Sequence, residues 1–131
     1  MSPYFLDGTP VLEVILENPI MNKRFPSDGE ALAVVDTGYE GFLLVPESIF
    51  HELSLEEFAT DQRQLVLANG LSVRSVGTFG KVVLSSFKIR FDGFIEAVHG
   101  AEEIVAGTEL IRNFTITLDY CVRKIEANKC K

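Results

Sequence analysis

A small, mostly antiparallel β fold, a closed barrel or sandwich carrying one or two short helices, is the architecture this sequence predicts. Three observations predict it. Apolar runs are short and are broken by Gly, Pro, Asn, Asp or Ser; an Asn-Gly pair has apolar residues on both sides; helical signals are confined to short stretches after Pro46 and Ser54. The 131 residues, 47% of them hydrophobic, suit one domain spanning residues 1–131 with a core of its own.

Residues 11–16, apolar except for Glu13, read as the first strand, with Asn18-Pro19 and Ser27-Asp28-Gly29 in the connection that follows. The second strand, residues 30–35, is apolar at every position from Ala31 to Val35, so both of its faces are expected to be buried. It stops at Asp36-Thr37-Gly38, and residues 42–45 resume the apolar pattern. Pro46 suits the first turn of a helix, where its missing N–H is no loss, and Ile49, Phe50 and Leu53 then recur at helical spacing. Ser54 with Glu57 fits a capping box for a second short helical segment. Residues 65–68, Asn69-Gly70 and residues 71–73 spell a hairpin, because a two-residue type I′ turn needs positive φ at both central positions. Residues 82–84, 87–91 and 94–98 read as distinct strands separated by Ser85-Ser86 and Asp92-Gly93. Residues 104–107 lead into Glu109-Leu110-Ile111-Arg112, and residues 115–118 alternate as a late strand.

Composition removes several function classes. Twelve Lys and Arg against nineteen Asp and Glu give a net charge of −7, with no basic run, which argues against nucleic acid or an anionic membrane as partner. No apolar stretch approaches the ~20 residues of a membrane span. The opening Met1-Ser2-Pro3-Tyr4 lacks the basic and apolar regions of a secretory signal, so the chain reads as cytoplasmic. Cys121 and Cys130 are read as reduced thiols, with a terminal disulfide between them as the alternative. His51 and His99 have no Cys or His at ligand spacing, and no glycine-rich phosphate motif occurs; no metal and no cofactor are predicted.

Asp36 is the residue whose placement asks for a chemical reason. A carboxylate directly after five apolar residues is expected at the mouth of the core, where desolvation opposes its charge and some partner must compensate. Thr37 supplies a hydroxyl, and Gly38 lets the backbone turn its N–H groups toward the acid. Asp-x-Gly is also ordinary turn chemistry, so the flanking order carries the weight: buried strand, Asp-Thr-Gly, Tyr39-Glu40-Gly41, then an apolar run ending at Pro46.

With that order the chain resembles the retropepsin-like aspartic proteases, in particular the single-domain microbial enzymes related to retroviral proteases. The resemblance rests on residues 33–46 (Ala-Val-Val-Asp-Thr-Gly-Tyr-Glu-Gly-Phe-Leu-Leu-Val-Pro), on Leu67-Ala68-Asn69-Gly70, and on Ile104-Val105-Ala106-Gly107 with the helical segment after it. It runs in order from about Val11 to Tyr120. It implies a closed β barrel of the acid-protease type with one lobe per chain, Asp36, Thr37 and Gly38 as the catalytic loop, and Leu67, Ala68, Asn69 and Gly70 in a flap that touches substrate. Hydrolysis by carboxylate-activated water needs two acids close enough to share a proton. A single Asp-Thr-Gly is present, and the later step reads Ala106-Gly107-Thr108 without an acid, so the expected enzyme is a homodimeric aspartic endopeptidase acting on peptide or protein. Tyr39 departs from the Ala or Ser common at that place in retroviral relatives. Residues 4–6 or 122–125 are the terminal segments expected to form the dimer sheet. Two alternatives stay open: a catalytically silent dimeric peptide-binding or assembly module on the same fold, and an ordinary surface hairpin at Asn69-Gly70.

Overall fold

The computed structural model describes residues 4–6, 8–66, 70–85 and 87–130, without the side chains of 4–6 and 129. The fold is mostly β. Its strands are β1 (Tyr4–Leu6), β2 (Thr9–Asn18), β3 (Lys23–Phe25), β4 (Ala31–Val35), β5 (Leu43–Pro46), β6 (Asp61–Val66), β7 (Ser72–Leu84), β8 (Ile89–Val98), β9 (Ile104–Ala106), β10 (Phe114–Asp119) and β11 (Lys124–Lys129). Helices α1 (Glu47–Glu52) and α2 (Thr108–Ile111) and a 3₁₀ turn at Leu55–Glu57 complete it. Among the described residues no helix is long and apolar enough to cross a membrane.

Strand β2 organises the sheet. Residues Val11 to Val14 pair with β4, and Ile15 to Glu17 pair with β7. The hydrogen-bonded path β2-β4-β9-β5-β8-β7 therefore returns to β2. Leu12, Val14, Leu16, Leu43, Val45, Val82, Leu84 and Ile95 project inside that ring at 1% exposure or less, the alternation expected when one face of each strand meets a common core. Leu53 and Leu55 add to it from the segment after α1, which Asn18 ties to β2 by donating from Nδ2 to the Leu53 carbonyl at 2.8 Å.

Two parallel contacts break the antiparallel rule. Strand β9 pairs in parallel with β4 and antiparallel with β5, and β5 in turn runs parallel to β8. Inserting β9 between β4 and β5 brings the ends of all three strands to one corner, where Asp36 begins its loop.

Several expectations are corrected. Only one face of β4 is fully buried: Ala33 and Val35 point inward, whereas Leu32 is 37% exposed, because among the described residues no layer covers the other side of this strand. The capping box at Ser54 does not form. Ser54 adopts φ +55°, and its hydroxyl instead accepts from Lys23 Nζ at 2.6 Å. Asp92-Gly93 does not separate a pair of strands but lies within β8, with Gly93 opposite Gly80 and the Phe42 ring packed where a Cβ would stand. The hairpin register pairs Val66 with Ser72, leaving five residues between β6 and β7. A two-residue Asn69-Gly70 turn would have placed Val66 opposite Val73, and that one-residue difference exchanges the faces of the strand. Both terminal segments join the chain's own sheet, with Tyr4 opposite Lys124 and β11 fully paired with β10.

Candidate active site

The Asp36 corner is built from backbone hydrogen bonds between segments 70 residues apart in sequence. Asp36 N–H donates to the Ala106 carbonyl at 3.0 Å, Gly107 N–H to Phe42 at 3.1 Å, Thr108 N–H to Tyr39 at 2.9 Å and Glu109 N–H to Gly41 at 3.1 Å. The first turn of α2 thereby spends its otherwise unpaired N–H groups on the loop. Glycine is required here for close approach. A Cβ on Gly107 would stand 2.6 Å from Tyr39 Cδ2 and 2.7 Å from the Tyr39 carbonyl oxygen, and one on Gly41 would stand 2.5 Å from Tyr39 Cζ.

Asp36 Oδ1 accepts from the Gly38 N–H at 2.8 Å, the local compensation anticipated from the tripeptide. Asp36, Thr37 and Gly38 are all exposed. The burial expected of Asp36 is therefore not found within one chain, because the loop steps out past the last core residue of β4. Its side chain opens on a cleft of about 940 Å³. Leu44 and Val105 give that cleft apolar surface beside Glu40 and Glu109, and Arg63, Gln64, Leu65 and Val66 of β6 line it as well.

Behind the loop sits a polar cluster that the sequence reading missed. Glu96 of β8 is 0% exposed. Its carboxylate accepts from the Tyr39 hydroxyl, from Arg63 Nη2 at 3.0 Å and from Ser75 Oγ at 2.5 Å. Arg63 also lies over the Phe94 ring, 5.3 Å from its centroid. Burial, and next the hydrogen bond to Glu96, push the Tyr39 phenol well above the usual tyrosine range, so it remains a neutral donor. Tyr39 thus joins the Asp36 loop to the interior. The signal that could have revealed the cluster was Glu96 itself, one acid inside the apolar run Phe94-Ile95-Glu96-Ala97-Val98.

Of the residues expected to touch substrate, Leu67, Ala68 and Asn69 lie outside the described residues. Gly70 is exposed at φ +85° and does not line the cleft. Among the described residues the hairpin meets the cleft through β6, at Arg63 to Val66. His51 pairs with Glu56 at 3.0 Å and His99 with Glu47 at 2.8 Å, all on the surface. Among the described residues no three His, Cys, Asp or Glu side chains gather as a metal site would require.

No protein-family model matches the chain. A protein of Archaeoglobus fulgidus, described as an "Uncharacterized protein", is 43% identical over 126 residues, covering 96% of this chain and 98% of its own length. At that identity and coverage, the chain belongs to the same family as this archaeal protein.

Proposed function

We propose that the protein is a homodimeric aspartic endopeptidase, and that its returning strand path is the closed β barrel of a retropepsin-like lobe, one per chain. The observation that carries this reading is Asp36: an exposed carboxylate at an open cleft, held by the Gly38 N–H and by a corner hydrogen-bonded to Ala106, with no second Asp-Thr-Gly in the sequence. It has the form of half a two-acid site. Two protomers related by a two-fold axis bring Asp36 to its symmetry mate, and the exposed Thr37 of each loop faces the same junction. One carboxylate takes a proton from a water molecule as its oxygen attacks the peptide carbonyl, and the protonated partner gives its proton to the carbonyl oxygen. The resulting diol collapses when the amide nitrogen gains a proton and a diol hydroxyl loses one, breaking the C–N bond. The cleft, about 940 Å³ and lined by Leu44, Leu65 and Val105 between polar groups, suits an extended peptide.

Incubation with a peptide library from acidic to neutral pH tests the proposal. Cleavage that is blocked by a hydroxyl-bearing transition-state mimic and lost in Asp36→Asn supports the peptidase. Peptide binding without cleavage in the wild type favours the silent module instead. A protein that sediments as a monomer at every concentration removes the catalytic reading.

A further inference from the structure

We infer that Glu96 is a positioning residue, a buried carboxylate that fixes the β6–β7 hairpin relative to the Asp36 loop through Tyr39, Arg63 and Ser75. The inference rests on the peptidase reading for its kinetic consequence but not for its structural one. The four residues come from four segments: Tyr39 from the Asp36 loop, Arg63 and Ser75 from the two arms of the hairpin, and Glu96 from β8. Loop and hairpin both line the cleft, yet they do so from separate regions of the sheet, β6 at its edge and the loop at the β4-β9-β5 corner. One oxygen of Glu96, Oε2, receives both the Tyr39 hydroxyl and Arg63 Nη2, while Oε1 receives Ser75. A fully buried carboxylate left with an unfilled acceptor is costly, so loosening either donor disturbs the other through their shared oxygen.

A stabilising role alone would not need this convergence. Apolar packing of similar volume serves stability as well as a buried ion pair does. What the convergence adds is a fixed spacing between the group that reacts and the strand that covers the substrate, so the hairpin side of the network bears on substrate affinity and the Tyr39 side on turnover. Arg63 is the only cation among the described cleft residues, and its bond to Glu96 holds the guanidinium in one orientation over Phe94.

Hydrogen exchange read by mass spectrometry on the full chain, with kinetics alongside, tests this. Tyr39→Phe removes one donor and Arg63→Met the other; both positions are partly exposed, so the variants are expected to fold, and Glu96→Gln serves as the volume-conserving third. The expected result is reciprocal: Tyr39→Phe speeds exchange in residues 61–66 and Arg63→Met speeds it in residues 36–41, each roughly tenfold for the loss of one charge-assisted hydrogen bond, with residues 114–119 unchanged. In peptide cleavage well below the melting temperature, Arg63→Met acts chiefly by raising KM and Tyr39→Phe chiefly by lowering kcat, each with a smaller effect on the other parameter because both donors share Glu96 Oε2, and the double variant falls short of the product of the two effects. Exchange that changes only within each variant's own segment overturns the inference, as do kinetic effects that simply multiply. If the wild type cleaves nothing, the peptidase reading fails, and the exchange measurement alone decides the role of Glu96.

Discussion

The cleft has two unlike sides. The Asp36 corner is locked from both directions: backbone bonds join residues 36–42 to residues 106–109, glycines let the Tyr39 ring cross at contact distance, and Leu110 and Ile111 of α2 are buried beneath it. The β6 side is an edge strand whose backbone, among the described residues, pairs with β7 alone, and on which Arg63 and Leu65 are half-buried and the other four residues are exposed. On the proposed reading, a reacting group gains from being held by many bonds in one geometry, whereas a strand beside a polymer can be positioned through the Arg63–Glu96 anchor and still yield elsewhere along its length. The difference suggests which residues govern turnover and which govern affinity.

The largest expected effect comes from the rigid side. Asp36→Asn keeps the shape and the bond to Gly38 but removes the exchangeable proton pair, and should lower peptide cleavage by roughly 10³-fold or more with the melting temperature little changed. Gly107→Ala forces a methyl group into the Tyr39 ring and carbonyl, and is expected to cost about 2–4 kcal/mol in urea denaturation. Equal stability of wild type and Gly107→Ala would mean that the corner is far more compliant than its contacts indicate.

Tyr39→Phe should have a smaller effect, about 1–2 kcal/mol at neutral pH, because it leaves Glu96 one donor short. The phenol also sets a pH dependence. Its folded pKa is raised, by burial first and by Glu96 second, above the unfolded value of about 10, so the stability it contributes is complete below that pH and is lost as pH rises beyond it. Urea midpoints compared at about pH 9 and about pH 11 should fall more steeply for the wild type than for Tyr39→Phe, by at most about 1.4 kcal/mol per pH unit. Parallel curves would show that the phenol titrates as in the unfolded chain. On the edge-strand side, Val66→Ser alters a residue that is 74% exposed and should change stability by less than about 0.5 kcal/mol while raising KM for peptides. A large stability loss there would erase the contrast between the two sides.

Much of the site's location was legible in one dimension. A run of apolar residues ending in Asp-Thr-Gly marks a strand leaving the core, and the Gly38 N–H does meet Asp36 Oδ1. Other local rules failed where a distant contact outbid them. The Ser54 hydroxyl accepts from Lys23, 31 residues away, and does not cap its own turn. Asp92-Gly93 reads as a turn, but the Phe42 ring needs a strand without a side chain at that point. Leu32 looked buried from its neighbours alone, since strand periodicity does not reveal whether a second layer exists to cover it.

By itself the sequence determined the β-rich class, the approximate place of most strands and of the helix after Pro46, the acid at the end of β4 and the absence of a second copy of its motif, but not β3 or the unbroken length of β7 and β8. These follow from local chemistry, from backbone preference, apolar alternation and residue identity. Only the tertiary structure decided that β9 enters between β4 and β5, that the hairpin is shifted by one residue, and that Glu96 gathers Tyr39, Arg63 and Ser75. Each of those depends on which groups meet in space, and such pairings are chosen by the joint packing of the whole core, a property no short window of sequence contains.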